Sequence, residues 1–380
     1  MNQPAGAGTM PHGEDPQVPE LIGWDTATRV AKKLAQREPP LSEYERRSLE
    51  ADFEEMTARA ESLVEAETGL VSLAGPARSR VTDRSQWVDV NVASFQRLLR
   101  PVAAKLAARM EAGGRRSLMP VGLTRQMSGA ELGLILGWMS GRVLGQYDQL
   151  LIEDECPDEQ DMVYYVGTNV VEIERRHGFA PREFRLWLAL HEVTHRAQFT
   201  GVPWLRDHFL AMVDTTLDGI DVDPRQLASA LQRAAQSFRS GHNPLEEGGL
   251  LTLLAGPEQY KAILSVGALM SLLEGHGDVT MNRAGAGVIP SAALFSSTLH
   301  ARRRQRGLAR MLSVLIGLEA KMRQYQQGET FIAEVEARGG PALLSKVWEG
   351  PEWLPGWEEI RSPEVWVARV QASSSEATET

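Results

Sequence analysis

Apolar residues recur at steps of three and four positions through most of the chain, and this spacing places them on one face of an α-helix. Ser42-Glu43-Tyr44-Glu45 has the pattern of a capping box at the start of a first helix or helix pair. Pro101 interrupts the second segment and predicts a kink or a break. The helical segments predicted in this way are Leu41 to Thr68, Val92 to Met110, Asp214 to Arg239, Pro257 to Met281 and Leu294 to Glu329.

Strand-forming patterns are confined to one stretch of the chain. Leu150 to Ile152 and Met162 to Val166 predict two short strands that an acidic turn separates. Asn169-Val170-Val171-Glu172 then has a capping-box pattern, which predicts the start of the next helix. We therefore expect a mainly α fold with a small β-hairpin or sheet.

Five glycines recur every fourth residue through an otherwise apolar helical pattern. Each glycine costs a helix about 1 kcal/mol relative to alanine, so a compensating contact is expected. A stripe without side chains lets a second helix approach closely, and this packing is the favoured interpretation. A groove that faces a cofactor is the alternative. The glycines are Gly129, Gly133, Gly137, Gly141 and Gly145.

Composition divides the chain into two tails and two regions. Residues 1–20 and 371–380 are rich in small and polar residues, and we expect both to be disordered. Residues 21–149 are predicted to form a helical N-terminal region that packs on the catalytic part. Residues 150–370 are predicted to form that catalytic part.

The charge and cysteine content exclude several classes of protein. A net charge of −10 argues against a general nucleic-acid binder. The single cysteine, Cys156, excludes an internal disulfide and is typical of a reducing cytoplasm. We find no signal-peptide pattern, and the apolar run from Leu132 to Gly141 is too short to span a bilayer. A cytoplasmic protein with no nucleic-acid or membrane partner is expected.

The pentapeptide His191-Glu192-Val193-Thr194-His195 carries the strongest chemical signal. Two histidines four positions apart lie on one face of a helix, so both imidazoles can reach one ion. The adjacent Glu192 is the group that would activate a water on that ion. Pro181 suits the first turn of the helix, and Gly201 marks a plausible end. The alternative is a pair of core histidines bonded to backbone carbonyls.

A catalytic zinc site needs a third protein ligand, with water in the fourth position. The metzincin pattern is excluded, because Gln198 and Gly201 occupy the positions where that pattern has Gly and His. Glu274 interrupts an apolar helical segment, where a carboxylate is costly unless it is paired or binds a metal. Asp278 lies one turn further and could accept the second N–H of a ligand histidine. The alternative for Glu274 is a salt bridge with Arg283 or with Arg302 to Arg304.

These motifs resemble those of a known family. The stretches His191 to Phe199, Met270 to Gly277 and Lys321 to Tyr325 are similar to actinobacterial zincin-like hydrolases, also described as zinc metallopeptidases or as proteins associated with deazaflavin-coenzyme biosynthesis. The resemblance runs from about Trp24 to Arg369. It implies a zincin-like metallopeptidase fold of gluzincin type, with zinc ligands His191, His195 and Glu274 and the catalytic carboxylate Glu192. It implies no particular substrate.

The expected function is that of a zinc metallopeptidase with one Zn²⁺ per chain. Glu192 would take a proton from the zinc-bound water as that water attacks a peptide carbonyl. Tyr165, His276 and Tyr325 are the candidate donors to the developing oxyanion. The strand Val163 to Val166 could pair with an extended peptide, or it could belong to a structural hairpin.

Two other functions stay open at this point. One is a metal-dependent hydrolase of small-molecule amides. The other is a non-catalytic helical scaffold that retains structural zinc. The intact Glu192 argues against the scaffold, since a structural site has no need of that carboxylate. The expected partners are accordingly a peptide, a protein or a small-molecule substrate.

Overall fold

The chain forms helices around one small sheet. The computed structural model describes residues 22–37, 39–112, 121–147, 161–218, 257–305 and 325–378. The helices in these ranges are α1 (Trp24–Ala35), α2 (Glu43–Thr68), α3 (Arg84–Ala112), α4 (Val121–Ser140), α5 (Gly167–His177), α6 (Pro181–Gly201), α7 (Leu205–Asp218), α8 (Pro257–Gly285), α9 (Ala292–Gln305), α10 (Tyr325–Leu344), α11 (Trp357–Arg361) and α12 (Pro363–Thr378). Two 3₁₀ turns, Ser345–Trp348 and Pro351–Trp353, lie between α10 and α11. The mainly α prediction is confirmed.

Helix α2 begins where the capping box predicts. The Ser42 hydroxyl accepts from the Glu45 N–H at 3.2 Å, and the Glu45 carboxylate accepts from the Ser42 N–H at 2.8 Å. Burial of each large apolar side chain contributes about 1.5–3 kcal/mol, which fixes α2 along α6. The buried apolar residues of α2 are Leu49, Phe53, Met56, Ala60 and Val64.

Several predicted boundaries differ from the structure. Helix α3 continues through Pro101 without a break. Helix α5 begins at Gly167, and the predicted capping box at Asn169 is wrong. The Asn169 amide instead accepts from Arg84 at 2.7 Å and donates to the carbonyl of Ser140 at 2.7 Å. Of the predicted helix from Asp214 to Arg239, only the part within α7 lies in the described residues.

The sheet has three strands, β1 (Arg78–Thr82), β2 (Gly145–Tyr147) and β3 (Met162–Val166). Strand β3 lies in the middle, parallel to β1 and antiparallel to β2. The prediction that Val163 to Val166 could pair with a substrate is therefore wrong, because both edges of that strand are already paired. The predicted strand Leu150 to Ile152 lies outside the described residues, as does Cys156.

The sheet also joins the two predicted regions. Strands β1 and β2 belong to residues 21–149, whereas β3 belongs to residues 150–370. Arg78 to Thr82 pair in register with Met162 to Val166, so the proposed boundary crosses a continuous sheet. The region predicted to be helical thus also contributes two strands, of which β2 lies beside α6.

Three of the five recurring glycines let α4 pack closely on α1. A Cβ on Gly129 would lie 2.2 Å from the Gly23 carbonyl oxygen, and one on Gly133 would lie 2.5 Å from that of Ala27. At Gly137 the Leu34 side chain and the Ala31 carbonyl lie within 2.9 Å. The packing interpretation is confirmed for these three glycines. Gly145 is different, because it lies beyond the helix, on β2.

The C-terminal segment packs as a second apolar cluster against α8 and α10. Trp366 is fully buried and donates from its indole N–H to the Trp353 carbonyl at 2.8 Å. Trp357 and Phe331 lie in the same cluster. Helix α12 runs to Thr378, so it extends into the segment 371–380 for which composition predicts disorder. Residues 1–20 lie outside the described ranges.

In the part of the chain that the structure describes, no helix is both long enough and apolar enough to cross a bilayer. The longest helices, α3 and α8, each carry several charged residues.

Candidate metal centre

Helix α6 places both motif histidines at the wall of a cavity. Pro181 occupies its first turn, and the histidines lie one turn apart further along. The Nε2 atoms of His191 and His195 are 3.3 Å apart, with the ring planes at 87°. Their side chains are 14% and 15% exposed. The two rings therefore face each other at a partly open cavity rather than in the closed core.

Glu274 approaches the two histidines from helix α8. Its carboxylate oxygens lie 3.9 Å from His191 Nε2 and 3.9 Å from His195 Nε2. Arg283, the predicted alternative partner of Glu274, is instead paired with Glu336 on α10. The side chains of Arg302 to Arg304 lie outside the described residues. Two helices thus bring together three potential ligand atoms from distant parts of the sequence.

The geometry of these atoms fits a metal ion. His191, His195 and Glu274 each offer one atom, all within 4.8 Å of one another. Around tetrahedral zinc, with bonds of about 2.0–2.1 Å, the ligand atoms lie roughly 3.3–3.4 Å apart. The two histidine nitrogens already have this separation, at 3.3 Å, and each Glu274 oxygen lies 3.9 Å from a different one of them. The Glu274 side chain must therefore shift toward the histidines to bring one oxygen into that arrangement. Two imidazoles and a carboxylate are also a donor set that zinc accepts.

Asp278 lies behind His191, one turn along α8 from Glu274. It is 4% exposed, and its Oδ1 lies 3.8 Å from His191 Nδ1. A carboxylate in this position favours the tautomer that carries its proton on Nδ1, which leaves Nε2 free as a ligand. The structure brings Asp278 to the Nδ1 side of the His191 ring, and its role as an acceptor from a ligand histidine stays a prediction.

The Glu192 side chain extends from α6 to the outer edge of β2. It is 7% exposed, and its Oε2 accepts a hydrogen bond from the Tyr147 backbone N–H at 3.1 Å. A Cβ on Gly145 would come within 2.7 Å of Glu192 Oε1. The absence of a side chain at Gly145 therefore leaves room for this carboxylate. The glycine spacing placed Gly145 in a helical stripe with four other glycines and did not indicate this contact.

Gln198 joins His195 to helix α8, a contact that the sequence analysis missed. Its Oε1 lies 3.0 Å from His195 Nδ1. Its Nε2 lies 3.0 Å from the Leu273 carbonyl and 2.9 Å from His276 Nδ1. The signal available in the sequence was its position, one turn beyond His195 on the same helix face. Its partners, however, are more than seventy residues away.

His276 is buried behind this contact. Burial, with smaller contributions from His195 and Arg283, lowers the pKa of His276 to about 4. The ring is therefore neutral at pH 7, with its edge toward Trp348 at a centroid distance of 5.0 Å. It is not among the residues that line the cavity. The expectation that His276 donates to an oxyanion is not met by this placement.

The two tyrosine candidates have different outcomes. The Tyr165 hydroxyl lies 3.0 Å from the Thr57 hydroxyl, and its ring stacks on Phe53 at 3.8 Å. The side chain is fully buried, and burial raises the pKa of the hydroxyl. Tyr165 is thus a core residue and does not reach the cavity, contrary to expectation. Tyr325 opens α10, but its side chain lies outside the described residues.

The cavity at this site has a volume of about 210 Å³. Its lining includes the two histidines and both glutamates together with apolar side chains. A larger surface cavity of about 360 Å³ lies between α2, α5 and α6. Its arginines are paired with acidic neighbours, so it offers no comparable convergence of acceptors. The residues that line the smaller cavity are Gly145, Gln146, Tyr147, His191, Glu192, His195, Phe199, Met270, Leu273 and Glu274.

On its other side, α6 is anchored by a buried arginine. Arg196 is 1% exposed and donates to Asp161 at 2.6 Å, to Glu61 at 2.6 Å and to the Gly75 carbonyl at 2.6 Å. These partners belong to α2, to the residue just before β3 and to the segment before β1. The network fixes the histidine helix against these three segments.

The chain is similar to known proteins over most of its length. The family model described as zincin-like metallopeptidase matches residues 22–367. A similar solved structure is that of a candidate hydrolase with a novel fold from Chloroflexus aurantiacus, with 30% sequence identity and a TM-score of 0.68. The alignment covers 92% of this chain and 99% of that chain. Comparison with curated proteins found no match.

Proposed function

Because this chain belongs to the zincin-like metallopeptidase family, we propose that it is a zinc-dependent hydrolase, most specifically a metallopeptidase that cleaves a peptide bond. The observation that carries the proposal is the convergence of three ligand atoms and the buried Glu192 carboxylate at one cavity. In this proposal His191, His195 and Glu274 hold one zinc ion per chain. Asp278 supports His191 from behind.

The bound ion supplies Lewis-acid chemistry, because it lowers the pKa of water toward neutrality and polarises a carbonyl. Glu192 is the general base in our proposal. Its carboxylate takes the proton of the attacking water and returns it to the leaving amine. The Tyr147 N–H holds one carboxylate oxygen, and Gly145 leaves space for the other. The side chain is thus oriented before a substrate arrives.

The rest of the cavity favours a substrate with an apolar group beside the scissile bond. Phe199, Met270 and Leu273 line the cavity beside the proposed ligands. An apolar substituent would bury surface there at about 25 cal/mol per Å². The outer edge of β2 is the strand edge beside Glu192. Of the three predicted oxyanion donors, Tyr165 and His276 do not line the cavity, and Tyr325 stays a prediction.

A second candidate is a zinc-dependent hydrolase of small-molecule amides. Two observations favour it. The cavity is small, about 210 Å³, and the strand predicted to pair with a peptide is central in the sheet. The deazaflavin association implied by the sequence resemblance stays a prediction. Peptide libraries and a panel of small amides, assayed in parallel, would distinguish the two substrates.

The first test is zinc per chain by elemental analysis, on wild-type protein and on Glu274→Ala. We expect close to one zinc in the wild type and a large loss in the variant, because one of three ligands is removed. Asp207→Ala, a change of an exposed carboxylate on α7, is the matched control and should keep the zinc. Wild-type protein that takes up no zinc, even when zinc is supplied, would refute the proposed function.

A further inference from the structure

Gln198 is the polar side chain that connects the metal centre to the packing of α6 on α8. It is fully buried, and each polar atom of its amide has a partner. One partner, His195, is a proposed ligand. Another, the carbonyl of Leu273, immediately precedes the proposed ligand Glu274. The amide thus contacts both helices that would hold the ion.

The Leu273 carbonyl determines which way the amide faces. A carbonyl oxygen can only accept a hydrogen bond, so the atom 3.0 Å from it must be the amide nitrogen of Gln198. The amide oxygen therefore faces His195, where it can only accept. His195 must then donate from Nδ1. Its other nitrogen, Nε2, carries a lone pair that points toward His191 and Glu274.

The second amide hydrogen of Gln198 points at His276 Nδ1, 2.9 Å away. His276 therefore accepts on Nδ1, as a neutral imidazole does. The close crossing of α8 and α10 fixes this ring in place. A Cβ on Gly275 would lie 2.4 Å from Gly328, so the two backbones are nearly in contact next to His276. His276 thus accepts the second N–H of an amide whose orientation the Leu273 carbonyl sets.

These contacts leave three acceptors facing one another. The Asp278 carboxylate favours His191 with its proton on Nδ1, just as Gln198 requires of His195. The two Nε2 atoms, each with a lone pair, then lie 3.3 Å apart, next to the Glu274 carboxylate. Such a group of acceptors repels itself unless a cation lies among them. The tautomer of His195 is therefore part of what makes the cavity select a metal ion.

We propose that Gln198, held by the Leu273 carbonyl and by His276, is the positioning residue that fixes the tautomer of His195 and thereby strengthens zinc binding. The inference rests on the proposed function, because it assumes that His195 is a zinc ligand. The Gln198 contact is 3.0 Å, whereas Asp278 lies 3.8 Å from His191. Gln198 is thus the tighter of the two supports.

The test is the zinc dissociation constant of Gln198→Leu, measured by competition with a chelator on refolded or natively purified full-length protein. Loss of a supporting hydrogen bond to a ligand histidine weakens metal binding roughly 10–100-fold. Thr194→Val is the matched control, since Thr194 is equally buried on α6 but bonds only its own helix, at the Leu190 carbonyl. Its zinc affinity should stay within about twofold of wild type.

A second variant distinguishes the role of Gln198 as a hydrogen-bond acceptor for His195 from its role in packing α6 on α8. Gln198→Glu keeps an oxygen toward His195 but loses the donors to Leu273 and His276. We expect a lower melting temperature of the metal-free protein, while zinc affinity stays closer to wild type than in Gln198→Leu. The visible spectrum of the cobalt-substituted protein should change in the leucine variant and not in Thr194→Val. If Gln198→Leu does not fold, a tenfold or greater loss of affinity in Gln198→Glu overturns the proposal.

Two failures can be told apart. A wild-type protein that binds one zinc, together with a Gln198→Leu variant of unchanged affinity, overturns the role of Gln198 alone. A wild-type protein that binds no zinc overturns the proposed function and this inference together. A lowered melting temperature with unchanged affinity in Gln198→Leu would mean that the amide only packs the helices, and this also overturns the proposal.

Discussion

The two sides of helix α6 differ in how their buried polar groups are paired. On the buried side, Arg196 is enclosed and every partner around it is an acceptor that matches its donors. On the cavity side, His191, His195 and Glu274 bring acceptors toward one another. A buried charge whose partners lie within the protein stabilises the fold. Acceptors that converge on one point are available to bind a cation. The comparison shows which side of the helix should control stability and which should control chemistry.

The largest expected effect is on the cavity side. Glu192→Gln keeps an oxygen for the Tyr147 N–H but removes the base, so we expect turnover to fall about 10²–10⁴-fold. Zinc content should not change, because Glu192 is not in the proposed ligand set. Rate and metal content are measured on the same preparation. Turnover at the wild-type rate would show that Glu192 is not the base.

The next effect tests the buried side. Arg196→Met leaves Asp161 and Glu61 without their cation, and removal of one partner of a buried ion pair costs about 3–5 kcal/mol. Urea unfolding measures this loss. Zinc per folded chain should stay unchanged, since the partners of Arg196 are not proposed ligands. Arg182→Met, on the same helix but half exposed, is the control and should leave the unfolding midpoint almost unchanged. Equal effects of the two variants would contradict the distinction.

A smaller change acts on the position of the base. In Gly145→Ala the new methyl group would lie 2.7 Å from Glu192 Oε1, so the carboxylate must move. We expect kcat to fall about tenfold, because a displaced base transfers protons less well. Gly141→Ala is the matched control, since its Cβ would meet nothing closer than Arg84 at 3.8 Å. A rate loss of equal size in both variants would exclude a specific role for Gly145.

The smallest effect concerns a partly exposed ion pair between α8 and α10. Hydrogen bonds from Arg283 hold the pKa of Glu336 below its ordinary value of 4.5. The pair therefore stabilises the fold above pH 4.5, and this contribution is lost as pH falls through the lower folded-state pKa. Glu336→Gln should cost at most about 0.5 kcal/mol at pH 7 and less at pH 3. Urea unfolding at both pH values checks this, and an equal cost at both pH values would contradict it.

Short-range patterns gave the correct local structure. The capping box at Ser42 and the helix through His191 and His195 depend only on neighbouring residues, and both lie where they were predicted. Glu274 was found from its own neighbourhood as well, because a carboxylate in an apolar helix needs an explanation. The capping box predicted at Asn169 failed, since its amide found better partners in Arg84 and Ser140.

Long-range contacts were not predictable in the same way. The strand Val163 to Val166 was identified, but its partners on both sides come from distant segments. Tyr165 has the residue type of an oxyanion donor, yet its position in the sheet directs it to Thr57 in the core. The five glycines share one spacing, but α4 ends at Ser140, so Gly145 does not lie on the helix face that packs on α1. Only the sheet places Gly145 beside Glu192.

The sequence by itself determined that two histidines share one helix face and that a glutamate follows the first of them, because helical geometry repeats every 3.6 residues. It also determined the mainly helical fold through its apolar periodicity. Only the tertiary structure decided that Gln198 meets Leu273 and His276, and that Glu192 rests on β2. Those contacts arise where α6, α8 and β2 converge. These three elements converge because apolar residues from many segments are buried together. No single segment of the sequence therefore determines the arrangement.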